Sequence, residues 1–391
     1  MNDEAISPNL PLDIITDILS RLPVLQIARC KCVCKPWLEL LESPEFSKLH
    51  LSKSSPGLVV YLSLGISEVL NIFGFEDELE LEQHELKYKP VMKFDLPEFV
   101  TPLKGVTMIA GSVNGLLCLR LKDHTSQPDD LCICNPITRE YVSFPTPEGV
   151  IQYPSIVTYG FGVSTVSGRY KAVRIFHESE LDQTGACVGI PRSDCHVYTL
   201  GTTGTWRSIA PSPPFRYDCY SIGAFVNGNL HWLVGNLRNS HVISCLDLET
   251  ELFKTFPAPP LPAYRSCLGS LVVLGDCLSV CDNSSENDIV IWIMKDYGVA
   301  KSWTKEFVIS KLPDLCGECY ELVFPIKVFK NGDILMIWGD FNLFYYSNNT
   351  KTTSTMSLFE LEFAIGCIEA MLHVPSLVSL TCFAGENVHS F

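Results

Sequence analysis

Residues 10–53 read LPLDIITDILSRLPVLQIARCKCVCKPWLELLESPEFSKLHLSK, and this stretch separates the chain into a helical part and the part that follows. Its first third carries apolar residues at positions that share one face of a helix, which predicts an amphipathic α-helix. These residues are Ile14, Ile15, Ile18, Leu19 and Leu22.

Prolines divide this stretch into short helices. Pro23 ends the first helix, because a proline ring clashes with the preceding turn. A second helical run begins at Val24, and Pro36 predicts a kink or a fresh start near Trp37. The Ser43-Pro44 pair is expected to end the module. The pattern therefore predicts three short helices.

The helical module contains more large apolar side chains than it can enclose, because a unit of about forty residues buries little of its surface. Two explanations are open from composition alone. Another protein covers the excess, as in recognition of a helix by a groove. Alternatively, the helices dock on the remainder of the same chain.

From about residue 57 the helical period gives way to short alternating runs separated by turn residues. Asn-Gly between alternating apolar residues is the strongest short signal for a hairpin, because a type I′ turn needs two residues at positive φ. Such turns are predicted at Asn114-Gly115, Asn227-Gly228 and Asn331-Gly332, with Leu274-Gly275-Asp276 in a similar place.

A second element recurs after these hairpins. CNPITREYVSFPTP (134–147) and CLDLETELFKTFPAPP (245–260) share a strand, a polar turn, an aromatic residue and a proline-rich exit. Copies lie roughly fifty to sixty residues apart, allowing for one missing near Gly160, which is the scale of a four-stranded propeller blade. Residues 57–391 would hold about six blades, with LFELEFAIGCI (358–368) as a candidate closing strand. Four tryptophans are expected in the core between blades: Trp232, Trp292, Trp303 and Trp338.

Charge and composition argue against several functions. The net charge is −15, and residues 1–55 hold six Lys/Arg against seven Asp/Glu, which leaves −14 for the rest. An acidic surface repels phosphate backbones and anionic lipids, so we expect no nucleic-acid or membrane partner. The N-terminus lacks the apolar core of a signal peptide, and the 17 cysteines lie in apolar strand patterns. We expect an intracellular protein, cytoplasmic or nuclear, with reduced thiols.

The motifs of catalysis and metal binding are not found in the sequence. Cys316 and Cys319 form a C-x-x-C pair, but no second ligand pair stands at the spacing of a zinc site. Cys30, Cys32 and Cys34 alternate along a predicted helix and cannot present three thiolates on one face. The acidic run 76–82 is interpreted as a solvated loop. We therefore predict no catalytic residue, no metal and no cofactor.

The helical stretch resembles the F-box, the motif by which substrate receptors join a cullin-RING ubiquitin ligase through a Skp-type adaptor. The resemblance covers Leu10 to about Phe46, with Leu-Pro pairs at 10–11 and 22–23, Val-Cys-Lys at 33–35 and a tryptophan at 37. It implies that the adaptor, and not the rest of the chain, covers the excess apolar side chains of the module. The implied adaptor-binding residues are Leu10, Pro11, Ile14, Ile18, Leu22, Pro23, Leu25, Val33, Cys34 and Trp37. For Val33, Cys34 and Trp37 a role in holding the helices together is equally open.

The remainder resembles the F-box-associated domain of plants, a kelch-related β architecture. The matching phrases include GSVNGLLCL, CNPITREYVSFP, FVNGNLHWL and FKNGDILMIW, in the order that the family has. The resemblance implies an F-box at 1–55 and a propeller-like all-β domain at 57–391. It implies a non-catalytic substrate receptor of an SCF-type ubiquitin ligase, with a Skp-type adaptor, cullin and RING subunits and a target protein as partners.

Two alternatives are weighed against this function. A self-incompatibility receptor of pistil ribonucleases has the same architecture, and an acidic domain could steer toward a basic target; receptors that regulate immune proteins share it too. A propeller enzyme, from a different class, would need polar residues converging in the central channel. The identity of the target is not readable from the sequence.

Overall fold

In the part of the chain that the structure describes, four α-helices come first and 25 strands follow. The computed structural model describes residues 10–63, 68–75, 92–95, 104–123, 130–144, 156–178, 192–202, 204–213, 215, 222–236, 238, 240–262, 269–311, 322–338, 342–356 and 368–390. Cys316, Cys319 and the acidic run 76–82 lie outside these residues. Among the described residues, none of the helices is long and apolar enough to cross a membrane.

The helical module has four helices where three were predicted. They are α1 (Leu12–Leu19), α2 (Val24–Cys30), α3 (Lys35–Glu42) and α4 (Pro44–Lys53). The Ser43-Pro44 pair was predicted to end the module but begins α4 instead. Ser43 Oγ accepts a hydrogen bond from the Phe46 N–H at 3.2 Å, and a proline at the first helical position lacks only an N–H that has no partner there. Of the kink or fresh helix start predicted near Trp37, the structure has the fresh start: α3 begins at Lys35, with Pro36 in its first turn.

The strands form six antiparallel sheets, each of which is one blade of a propeller. Blade 1 contains β24 (Ile368–His373), β1 (Gly57–Ser63), β2 (Glu68–Phe73) and β3 (Met92–Asp95). Blade 2 contains β4 (Lys104–Val113), β5 (Leu116–Asp123), β6 (Asp130–Asn135) and β7 (Glu140–Phe144), with β25 (His389–Ser390) added at its outer edge. Blade 3 contains β8 (Ile156–Val163), β9 (Tyr170–Glu178), β10 (Arg192–Thr199) and β11 (Arg207–Ile209).

The other three blades repeat this pattern in chain order. Blade 4 contains β12 (Ala224–Val226), β13 (Asn229–Gly235), β14 (His241–Asp247) and β15 (Phe253–Pro257). Blade 5 contains β16 (Gly269–Leu274), β17 (Cys277–Asp282), β18 (Asp288–Met294) and β19 (Trp303–Ser310). Blade 6 contains β20 (Val323–Val328), β21 (Ile334–Trp338), β22 (Asn342–Ser347) and β23 (Thr352–Met356).

The first strands of the blades contact one another in a closed ring. Around the ring, each strand contacts the next in the order β4, β8, β12, β16, β20 and β24. β24 contacts β4, which closes the ring. Six buried apolar clusters accompany the ring, one between each pair of neighbouring blades. Trp232, Trp303 and Trp338 are buried members of these clusters and Trp292 packs against one, as the sequence predicted. The predicted six-bladed architecture is confirmed.

Three of the four predicted hairpin turns have the expected conformation. Both residues have positive φ in Asn114-Gly115, Asn227-Gly228 and Gly275-Asp276. At Asn331-Gly332 only the glycine does, so the prediction of a type I′ turn there is wrong. That hairpin closes one residue later, through a hydrogen bond from the Phe329 N–H to the Asp333 carbonyl, and its loop is therefore longer.

The blade that closes the ring combines the two ends of the β domain. β24 pairs antiparallel with β1 from Gly57↔His373 to Leu62↔Ile368. Most of the predicted closing segment 358–368 lies outside the described residues, and the closing strand begins at its last residue. In an antiparallel blade, the turns after the first and third strands lie at the same end. We call that end of the propeller the turn face. Because β1 is the second strand of its blade, it begins at the turn face, and the chain from α4 joins the propeller there.

Candidate functional site: the exposed apolar face of the helical module

The helical module has a small core of its own. Leu19, Ile27, Leu41 and Phe46 are buried there, and each comes from a different helix. The side chains packed against this core are partly buried: Ile15, Leu22, Cys30, Trp37, Leu40 and Leu377. Leu377 comes from the chain after β24. Each helix therefore contributes one buried apolar residue to this core.

A second set of apolar side chains on the module faces solvent. Leu10 is 45% exposed, Leu12 60%, Ile14 43%, Ile18 50% and Val33 62%. On α1, Ile14 and Ile18 are one turn apart, next to the stripe by which Ile15 and Leu19 pack inward. Large apolar side chains exposed in a group mark a surface that another molecule covers. Leu12 lies on the other side of this inward stripe from Ile14 and Ile18. We call these five residues together the apolar face.

The predicted adaptor-binding residues divide into two groups. Seven are exposed: Leu10, Pro11, Ile14, Ile18, Pro23, Val33 and Cys34. Three are partly buried: Leu22, Leu25 and Trp37. Leu22 and Trp37 pack against the core of the module, so the structural role left open for Trp37 applies, whereas Val33 and Cys34 lie exposed between α2 and α3. Their contact with an adaptor remains a prediction.

The sequence analysis missed Leu12, which is more exposed than any other apolar residue of α1. Its signal was available, because Leu12 opens the helix that Ile14 and Ile18 continue. Leu12 has the helical spacing of Ile15 and Leu19, which pack inward, so spacing alone does not distinguish it from the inward stripe.

Polar contacts fix α1 against the end of α4. The Asp17 carboxylate accepts hydrogen bonds from Arg21 Nε at 3.0 Å and Lys53 Nζ at 2.6 Å. Lys53 Nζ also donates to Ser20 Oγ at 2.8 Å. The hydrogen bonds from Arg21 and Lys53 lower the pKa of Asp17 to about 2. The carboxylate therefore stays charged, and its charge is balanced by the two cations that it pairs with beside the apolar face.

His50 joins α4 to the turn that follows α1. This side chain is 2% exposed, and its Nε2 lies 2.9 Å from the Leu22 carbonyl oxygen. Ser54 Oγ lies 3.2 Å from His50 Nδ1. Burial lowers the pKa of His50, although the contact with the Leu22 carbonyl opposes this shift. The module is thus held in one arrangement by buried polar contacts as well as by its core.

The potential metal ligands and the thiols of the described residues are dispersed or buried. No group of three or more His, Cys, Asp or Glu among them could hold a metal ion. The Cys118 and Cys132 thiols are fully buried, and burial raises the pKa of both, which keeps them protonated and unreactive. Cys30 packs on the module core while Cys32 and Cys34 are exposed, so these three do not converge.

Comparison with known proteins agrees with this division of the chain. A family model for the F-box domain matches residues 7–49, and a model for the F-box associated beta propeller domain matches residues 78–370. The F-box protein At3g07870 of Arabidopsis thaliana is 32% identical over 83% of this chain and 78% of its own length. The Arabidopsis F-box protein CPR1 is 26% identical over 89% of this chain and 84% of its own, and the Arabidopsis F-box/kelch-repeat protein At3g23880 is 26% identical over 80% and 82%.

Proposed function

Because the chain belongs to the F-box proteins that carry an F-box associated β-propeller domain, we propose that it is a substrate receptor of an SCF-type ubiquitin ligase. The helical module binds a Skp-type adaptor, and through it the cullin and RING subunits. The propeller holds a target protein. Such a receptor acts in the cytoplasm or nucleus.

The mechanism of a receptor is positioning. By holding the target near a ubiquitin-charged enzyme, the receptor raises the effective concentration of the target's lysines at the reacting centre. The receptor itself contributes no reacting group. Its two tasks are therefore two binding surfaces held in a defined geometry, and the catalytic residues belong to its partners.

The observation that carries this proposal is the apolar face. Five large side chains stay about half exposed although the module has its own core. Burying a large aliphatic side chain fully contributes about 1.5–3 kcal/mol, so covering the exposed half of each contributes roughly 1 kcal/mol, and the five together about 5 kcal/mol. A groove that covers them would form the central part of the adaptor interface.

The charge of the propeller supports a basic target. Residues outside 1–55 carry a net charge of −14. Charge of one sign attracts partners of the opposite sign and accelerates their encounter. We therefore propose that the target presents a basic surface to the propeller. Weaker binding at higher salt concentration would support this part of the proposal.

Co-expression with a Skp-type adaptor tests the receptor function. The full chain should form a stable one-to-one complex, measured by size-exclusion chromatography and calorimetry. Ile18→Asp should weaken the complex about 100-fold or more, because an interfacial carboxylate loses its hydration without gaining a partner. Ile18 is a sharper position than Leu22, since Leu22 also packs against the module core.

Val308→Asp is the matched control. Val308 is 52% exposed on β19, compared with 50% for Ile18 on α1. This variant introduces the same charge at a similar exposure but outside the module, and it should bind the adaptor like the unmodified chain. Equal binding by Ile18→Asp and the unmodified chain, or no complex with either, would refute the proposed function.

A further inference from the structure

The chain after β24, the strand that closes blade 1, crosses the turn face of the propeller and reaches the helical module. We propose that this segment, residues 374–390, is a positioning strap that sets the orientation of the module on the propeller. The inference rests on the proposed function only in what that orientation is for. Its contacts stand by themselves.

The strap is attached first at the core of blade 2. The Asn135 side-chain amide donates to the Ser376 carbonyl at 3.1 Å and to the Val378 carbonyl at 2.6 Å. These two carbonyls flank Leu377. Ser376 Oγ donates to the Asn114 carbonyl at 2.7 Å, and both Asn135 and Ser376 are fully buried. The backbone on each side of Leu377 is therefore fixed to the propeller.

Leu377 itself points away from the propeller and into the module. Its side chain packs against the core formed by Leu19, Ile27, Leu41 and Phe46. Its carbonyl accepts a hydrogen bond from Ser47 Oγ of α4 at 3.3 Å. One residue thus belongs to the core of the module while its neighbours belong to the propeller.

The rest of the strap is attached farther out, across blades 2 and 3. The Glu140 carboxylate accepts hydrogen bonds from Ser379 Oγ at 2.8 Å and from the Leu380 N–H at 2.5 Å. The Glu386 carboxylate accepts from Tyr198 Oη at 2.6 Å and from the Gly201 N–H at 2.7 Å. β25 then pairs with β7. These contacts hold the strap along its whole length.

The strap gives the module a second connection to the propeller. The first is the chain itself, through residues 54–56 between α4 and β1. A single short connection leaves rotation about a few backbone bonds, and hinges of this kind permit large rigid-body movement. Leu377 adds a second point of attachment, which removes that rotation. In a receptor, this would fix the target relative to the ubiquitin-charged enzyme.

The distance between module and propeller tests the proposal in the full chain. Spin labels at Glu39 on α3 and Lys301 before β19, both exposed, can be introduced through genetically encoded residues that leave the cysteines untouched. In the chain without further substitutions, double electron–electron resonance should give one narrow distribution of the distance between the two labels. Leu377→Ala should broaden it about twofold or more, as expected for released rigid-body motion.

Val378→Ala is the matched control, because Val378 packs against the apolar cluster between blades 2 and 3 and not against the module. It should leave the distribution narrow. Asn135→Ala removes the hydrogen bonds to the carbonyls on either side of Leu377 and leaves the module core intact. It should also broaden the distance distribution. If Leu377→Ala impairs the fold of the module, Asn135→Ala decides. Distributions as narrow as that of the unmodified chain in the decisive variant would overturn the proposal.

Self-modification provides a readout that a merely structural role would not move. In a reconstituted ligase, the chain without substitutions should be ubiquitinated on a restricted set of its own lysines. Asn135→Ala, which leaves the module core intact, should bind the adaptor with unchanged affinity but spread the modification over more lysines, as mapped by mass spectrometry. An unchanged map would count against the strap. Because the distance measurement needs no adaptor, failure of adaptor binding would refute the receptor function alone.

Discussion

Replacing Gly115 by alanine tests whether the first Asn-Gly turn is built around the strap. A Cβ at this position would lie 2.0 Å from Ser376 Oγ and 2.8 Å from the Ser376 nitrogen. Both distances are shorter than any ordinary contact, and Ser376 is fully buried. The strap would therefore have to move away from the turn.

The expected magnitude follows from a matched glycine. Gly275 also lies in a two-residue hairpin turn at positive φ, but a Cβ there would meet nothing within 4 Å. Alanine at either position costs about 1–2 kcal/mol for the left-handed conformation. At Gly115 the displaced strap also loses the hydrogen bond from Ser376 to the Asn114 carbonyl, which adds about 1 kcal/mol. Strain from the collision adds more, so Gly115→Ala should be destabilising by about 2–4 kcal/mol.

Urea denaturation followed by tryptophan fluorescence measures the difference. The urea midpoint of Gly115→Ala should lie clearly below that of Gly275→Ala. Limited proteolysis should also cleave the strap of Gly115→Ala faster than the strap of Gly275→Ala. Equal midpoints for the two variants, with the strap equally protected, would refute the reasoning, since the left-handed conformation would then account for the whole effect.

Two further predictions concern charges inside the propeller. Burial lowers the pKa of His231 and His373 to about 4. Since an unfolded histidine has a higher pKa, the unfolded chain binds protons more readily than the folded chain. The free energy of unfolding should therefore fall as the pH drops from about 6.5 to 4, by up to about 3 kcal/mol per residue. Thermal unfolding at pH 7.5 and pH 5 measures this, and equal stability would contradict it. Glu251→Gln should cost about 2–4 kcal/mol, because Glu251 pairs with the buried Lys171 at 2.8 Å. Glu306→Gln breaks an exposed pair and should cost less than about 1 kcal/mol; similar costs for both would show that burial of the pair is immaterial.

The blades could be predicted because their signals are local. Asn114-Gly115 and Asn227-Gly228 define hairpins through the conformations that these residues tolerate, and the turns after the third strands recur in the same way. Arg139, Glu251 and Lys351 each occupy the left-handed conformation there. A repeat of such turns reveals the blade even where one copy, near Gly160, lacks the Asn-Gly pair.

The helical module was predicted with one helix too few, because Ser-Pro is ambiguous. The pair can end a helix or begin one, and the residues after it decide. Residues 44–53 have a weak apolar pattern, and α4 is stabilised mainly by Phe46 in the core and by the contacts of His50. Tertiary contacts of that kind do not appear in the spacing of a sequence.

The strap could not be predicted at all. Residues 374–390 have neither helical nor strand periodicity, and their contacts are made by single side chains with distant partners. Ser47 and the Leu377 carbonyl, for example, are separated by 330 positions. Only the fold brings such residues together. Likewise, only the fold shows that Trp37 packs against the module core while Ile18 is exposed.

Closure of the first blade by β24 has a consequence for how the protein is made. β1 leaves the ribosome roughly 300 residues before its partner, and at about 5–20 residues per second that delay lasts about 15–60 seconds. Throughout it, the apolar strand GLVVYLS presents an unpaired edge, which is a template for aggregation. The four helices emerge first and, apart from Leu377, have all the residues of their core. A nascent chain therefore has its adaptor-binding end long before it has a closed propeller, and a chain cut short before residue 368 never obtains one.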